Sequence, residues 1–209
     1  MQRPTPFLRL IAFCVLCFVT LSCASSSVEL NSERIARKFG SYGVEVLENT
    51  DNIRVSNLYS REANGPTCRT FAVVGLSQDT GPSFATEHSQ ILQGGSIGAV
   101  FKRAGWRIDK RHQYIGEMVI GKQATRISRL MRLKTPASLA VHIYLLTISK
   151  DGGSFDYAMI AEAHHPEYLT VGTLSAIYGG VYSGDRNRKD ARQILELVRE
   201  KFRDTMHSG

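Results

Sequence analysis

Two β-rich runs, residues 139–149 and 155–165, are separated by Lys150-Asp151-Gly152-Gly153-Ser154. Glycines there permit the positive φ that a tight hairpin turn needs, so the two runs are expected to pair antiparallel. Three earlier runs, 42–47, 53–59 and 67–76, follow one another across Asn49-Thr50-Asp51-Asn52 and the Asn64-Gly65-Pro66 break, which reads as a meander. Residues 106–120 read as one long strand or two, interrupted at Gly116. Helical patterns fall between these runs. Ser32 is expected to cap a helix over 33–39 that Gly40 ends, and residues 84–93 follow Ser83 as a second. The glycine-rich stretch 94–104 opens a third, and 168–178 a fourth behind Pro166. The best pattern is 187–203, where Ile194, Leu195, Leu197, Val198 and Phe202 line one side. Strands in runs between helices, without strict alternation, specify an α+β fold: a mostly antiparallel sheet with flanking helices in a single compact domain. With 43% hydrophobic and 22% charged residues, the chain has the apolar content for one core and is neither collagen-like nor disordered.

That domain is expected behind a targeting segment. Residues 1–9 carry Arg3 and Arg9 and no acid, and residues 10–21 run almost wholly apolar before Ser22-Cys23-Ala24. A basic start, a short apolar core and small residues after it make a secretory signal. A membrane-spanning helix needs about 20 apolar residues. Val19-Thr20-Leu21-Ser22-Cys23 resembles the lipobox of bacterial lipoproteins, although Thr20 stands where an aliphatic residue is usual. The resemblance implies a signal peptide over 1–23, lipidation of Cys23 and a membrane held through that anchor. A cut after Ala24, giving a free periplasmic protein, is the alternative. Residues 24–31 then form a short polar linker and 32–209 the domain. Cys14 and Cys17 would leave with the signal, so the mature domain holds only Cys68 and no internal disulfide. Within 67–76 that thiol is expected to be buried in a strand.

The net charge of +7 is unevenly spread. Between Lys102 and Lys134 ten basic residues face only Asp109 and Glu117, so the rest of the mature chain is net acidic. Arg107, Lys110 and Arg111 interleave with Trp106 and Tyr114, while Lys122, Arg126, Arg129 and Arg132 share one side of a helix if the segment is helical, opposite Ile127, Leu130 and Met131. These seven cations are the candidate anion-binding residues. Export removes nucleic acid as a partner and leaves anionic lipid or an envelope polymer. The bland reading of 122–132 is a solvated face that covers the core with its apolar side.

Two constellations carry weaker chemical signals. Gly94-Gly95-Ser96-Ile97-Gly98 matches the G-x-S-x-G serine-hydrolase elbow, with Asp151 or Asp156 and His164 or His165 following in the right order. That elbow needs a strand before the serine and a parallel sheet, and the surrounding pattern is antiparallel. A glycine-rich helix start that lets elements pack closely is the competing reading. Glu162 and His164 share a strand face, and His142 lies on the partner strand, so two imidazoles and a carboxylate are candidate metal ligands. A turn of two to four residues slides His142 between faces, so the register decides. Glu87-His88 is weaker still. No phosphate-loop, dinucleotide or calcium-loop pattern occurs, and no cofactor is expected. The sequence favours a binding or accessory module of the bacterial envelope, with a small periplasmic hydrolase built on Ser96 or on Glu162 and His164 as the alternative.

Overall fold

A computed structural model describes residues 29–50, 52–77, 81–121, 125–134, 136–179, 194 and 196. The chain forms an α+β domain around one antiparallel sheet of six strands. The strands are β1 (Gly43–Thr50), β2 (Ile53–Glu62), β3 (Gly65–Leu76), β4 (Arg107–Ile120), β5 (Ala137–Lys150) and β6 (Gly153–His164). Their order is β1-β2-β3-β6-β5-β4. Two meanders therefore lie side by side, joined where β3 pairs with β6.

The hairpin between β5 and β6 settles what the sequence leaves open. Lys150 pairs with Gly153, so the loop is only Asp151-Gly152, with φ of 51° and 82°. Both are positive, as a two-residue primed turn requires. Further along, the register slips by one residue at Tyr157, and His142 then pairs with Glu162. A second slip lies at Gln113 of β4, between the His112 and Tyr114 pairings. It sends Ile108 to one core and Tyr114, Met118 and Ile120 to the other. β4 is therefore one strand with a bulge, and Gly116 does not interrupt it. That glycine lies beneath the Tyr114 ring, where a Cβ would collide with the phenol.

Both faces of the sheet are covered. On one, Val55, Val73, Val141 and Ile143 meet Ile127 of α4 (Arg126–Leu130) and Met131 just after it. Of the amphipathic 187–203 segment only residues 194 and 196 lie among those described; Ile194 is helical and buried in this same core. Cys68 is buried there too, and desolvation raises its thiol pKa, as expected for an inert strand cysteine. The opposite face is divided. At one end Phe84, Ile91 of α2 (Ala85–Leu92) and Phe101 of α3 (Ile97–Arg103) pack on Ile148 and Tyr157. At the other, Ile35 of α1 (Asn31–Phe39) and Leu174 of α5 (Val171–Tyr178) pack around Ala140 and Tyr168.

Several helix boundaries differ from the sequence expectation. Ser32 is not the cap of α1; the helix opens at Asn31, and Glu33 reaches back to accept the Leu30 N–H at 3.0 Å. Leu30 is buried and Glu29 pairs with Arg34 and Arg37, so residues 29–31 belong to the fold and not to a leash. Residues 82–84 make a 3-10 turn before α2. Pro166 opens a turn and not a helix: α5 starts three residues beyond Tyr168, where Thr170 Oγ1 accepts the Thr173 N–H at 3.2 Å. Among the described residues of 122–132 the helix covers the five of α4, and Arg132 beyond it takes a left-handed φ of 53°. No helix among the described residues is long and apolar enough to cross a membrane. The signal, linker and lipidation residues 1–28 lie outside the described residues, as does Lys122.

The glycine-rich loop is explained by packing. Gly94 has φ of 106°, and a Cβ on Gly95 would lie 2.8 Å from the Gln90 carbonyl oxygen and from Val100. Gly95→Ala should therefore cost about 1–3 kcal/mol in thermal or urea unfolding. Ser96→Ala should stay within about 0.5 kcal/mol, because Ser96 makes no side-chain cap bond to α3.

Candidate functional site

On the divided face, between the two helical groups, a row of polar side chains runs across five strands. Strand pairing sets it: Arg54 opposes Val74, Ala72 opposes Glu162, Thr70 opposes His164, His142 opposes Glu162, and His112 opposes Tyr144. Cross-strand partners share a face, so these residues meet beneath α1 and α3.

Over this row lies a cavity of about 70 Å³. Its walls include the start of α1 (Leu30, Asn31), Tyr42, Ser96 and Ile97 at the start of α3, and the apolar strand residues Val44, Ala72 and Ile160. Arg54, Lys110 and Glu162 bring charge to it. Arg54 is only 2% exposed. Its Nη1 donates to the Ile91 and Gly95 carbonyls at 2.8 Å each, and its Nε donates to Ser56 Oγ at 2.9 Å. No carboxylate pairs with it among the described residues, and burial lowers its pKa. The contrast with Arg69 is direct: that guanidinium is equally buried but pairs with Glu62 and Glu167. Lys110 also has no acidic partner among the described residues and lies 4.5 Å from the centre of the Tyr144 ring.

Glu162 joins the cavity to the His142–Glu162–His164 cluster, whose donor atoms all lie within 4.8 Å of one another. The structure thus brings together the three metal candidates. Each is anchored through its other end. Asn31 Nδ2 donates to Glu162 Oε1 at 3.0 Å and to Thr70 Oγ1 at 3.1 Å. The Asn31 Oδ1 in turn accepts the Tyr168 hydroxyl at 2.5 Å. His164 Nδ1 bonds Thr70 Oγ1 at 3.0 Å, and His142 Nε2 bonds His112 Nδ1 at 2.8 Å. Tyr178 stacks over His142 at 4.6 Å between centroids. The inner atoms, His142 Nδ1 and His164 Nε2, are buried with no hydrogen-bond partner among the described residues. Burial lowers the pKa of His142 to about 2 and of His164 to about 3, with the Lys110 charge acting the same way, so both rings are neutral. The Tyr144 hydroxyl is pushed in the opposite direction, first by burial and then by the Glu162 carboxylate beside it.

The other candidates are placed differently. Ser96 lies on the cavity wall, but residues 89–92 before it are helical, its φ of −69° is unstrained, and the sheet is antiparallel throughout. The nucleophile elbow is therefore absent. Asp151 sits in the hairpin turn, and Asp156 accepts from Thr147 at 3.0 Å and pairs with Arg111. His165 is structural: its Nε2 bonds the Met131 carbonyl at 3.1 Å, and its Nδ1 accepts the Glu167 N–H at 3.1 Å. Strand alternation splits the basic stretch, since of its described residues only Lys110 turns into the cavity. Arg107 is exposed and pairs with Asp109 at 3.6 Å. Arg126 and the exposed Arg129 lie on α4, whose apolar side covers the core, and Arg132 donates to the Asn64 carbonyl at 2.7 Å. His88 bonds the Tyr157 hydroxyl at 2.9 Å, and Glu87 accepts from Trp106 at 3.2 Å. Sequence reasoning missed Arg54, Asn31, Tyr42 and His112. The available signal was period two: if Ile53 and Val55 face one core, Arg54 and Ser56 face the other.

No family model matches the sequence, and no curated protein matches it. Among solved structures, the chain is similar to a transcriptional regulator (GntR family) from Enterococcus faecalis V583, at 13% identity over 62% of this chain and 93% of that one. The TM-score is 0.28, a likeness too slight to bear on fold or function.

Proposed function

We propose that this chain is a ligand-binding module of the bacterial cell envelope, tethered by lipid at Cys23, whose cavity takes a small organic anion. The observation that carries the ligand class is Arg54, a buried cation on the cavity wall with no carboxylate partner among the described residues. Burying an unpaired charge is costly, and an anionic ligand offsets that cost. Lys110 adds a second positive group, and the apolar walls suit a short hydrocarbon body. A cavity of about 70 Å³ is smaller than the roughly 150 Å³ that holds benzene, so the fitting portion is a few heavy atoms. Support for the compartment comes from the basic, apolar and small-residue order of the leader. Exposed Arg129 and Arg132 remain available to an anionic lipid or envelope polymer.

Acetate, propionate and butyrate are expected to raise the melting temperature of the protein, whereas the matching amides are not. Equal shifts from acids and amides would remove the anion. For the tether, radiolabelled fatty acid should enter the wild-type chain and not Cys23→Ala. An unprocessed, unlabelled chain free in the cytosol would overturn the envelope assignment.

A further inference from the structure

Beside the anion pocket, and independently of it, we propose that His142 Nδ1, His164 Nε2 and the Glu162 carboxylate bind a divalent first-row transition-metal ion. The argument begins with the two bare nitrogens. A buried polar atom without a partner is uncommon, and here two lie together facing a carboxylate. Glu162 Oε2 is 3.9 Å from His164 Nε2, too long for a hydrogen bond, so the carboxylate does not satisfy that nitrogen. A shared positive ion satisfies all three at once.

The surrounding bonds fit that role. With its proton on Nδ1 and Thr70 Oγ1 accepting, His164 presents a lone pair at Nε2. With its proton on Nε2 and His112 Nδ1 accepting, His142 presents one at Nδ1. Asn31 fixes the far oxygen of Glu162. Metal-binding imidazoles and carboxylates are oriented in this way, each by a partner on its opposite atom. Two imidazoles with one carboxylate suit zinc, iron, cobalt, nickel or copper in preference to magnesium or calcium, which want oxygen donors. Three protein ligands leave a coordination position open, and Glu162 stands on the cavity wall. The ion would also compensate the Glu162 charge, which otherwise opposes an anion in the cavity.

The test uses the full chain, stripped with chelator and titrated with zinc against a chromogenic competitor. One equivalent of zinc is expected, undiminished by millimolar magnesium, with a rise of several degrees in melting temperature. Cobalt should give visible d–d absorption without a thiolate-to-cobalt charge-transfer band. That band would assign the ion to cysteines and overturn the proposal. His164→Gln should lose the equivalent. Because that residue is buried, Thr70→Val serves beside it and should weaken zinc about 10–100-fold while leaving the ligand set intact. No stoichiometric uptake by the wild type, or affinity unchanged in Thr70→Val, means that the nitrogens face water only and sinks the inference. The carboxylate melting shifts would then still stand or fall by themselves.

Discussion

Truncating Phe84 to alanine is expected to cost about 3–5 kcal/mol of folding stability, read as the midpoint of urea or thermal unfolding. The ring is 1% exposed and packs edge-on to Phe101, Trp106, Phe155 and Tyr157, at centroid distances of 5.3 to 6.3 Å. These rings come from the 3-10 turn, α3, the residue before β4, and β6, so a void at their centre loosens α2 and α3 from the sheet together. A functional effect follows from the structural one. Ile91 of α2 and Gly95 of the loop between α2 and α3, whose carbonyls hold Arg54, are carried by those same helices. Carboxylate binding should therefore weaken in Phe84→Ala even at temperatures where the protein remains folded. A loss below about 1 kcal/mol would mean that the aromatic cluster is not what seats the helices.

Arg54→Met should give the largest effect on binding, a loss of about 2–5 kcal/mol in carboxylate affinity by calorimetry or thermal shift. The stability change should be smaller and has two opposing parts. Removing a desolvated cation relieves a cost, whereas the Gly95 carbonyl loses the donor that Arg54 supplies, at about 1–3 kcal/mol. Ile91 is less affected, because its carbonyl also accepts the Gly94 N–H at 3.0 Å. Methionine retains much of the aliphatic stem, which isolates the charge from the packing. Undiminished carboxylate binding in this variant would show that the guanidinium serves only to tie the α2–α3 loop to β2.

The sheet was legible because its signals are local. Positive φ at Asp151-Gly152 is a property of two residues and falls where the turn stands. The break read at Asn64-Gly65-Pro66 lies one residue late: the turn is Ala63-Asn64, and Gly65 and Pro66 already pair in β3. Cys68 was legible for the same reason, as part of a β-rich run. The site was only half legible. His142, Glu162 and His164 could be named from chemistry, but whether they meet depends on a loop length and on the bulge at Tyr157, neither of which leaves a compositional trace. Arg54 was illegible because a polar residue alternating with apolar ones in a strand normally faces water. That rule fails here since helices cover both sides of the sheet. The basic stretch misled in a related way. Counting charge along 102–134 ignores that residues 107 and 111 point away from 110, and that α4 turns its apolar side to the core.

The extra residue at Tyr157 has a consequence for any chain descended from this one. Draw Tyr157 into the ladder opposite Leu146 without shortening the strand, and with the two-residue turn held fixed, Ile160, Glu162 and His164 would exchange sides with Ala161 and Ala163. A polar trio would then be thrust into an aliphatic interior while small alanines floored the chamber. Homologues that keep the strand length but pair it without that irregularity are thus expected to have no imidazole–carboxylate cluster in this place, whereas a chain one residue shorter there keeps His142 opposite Glu162.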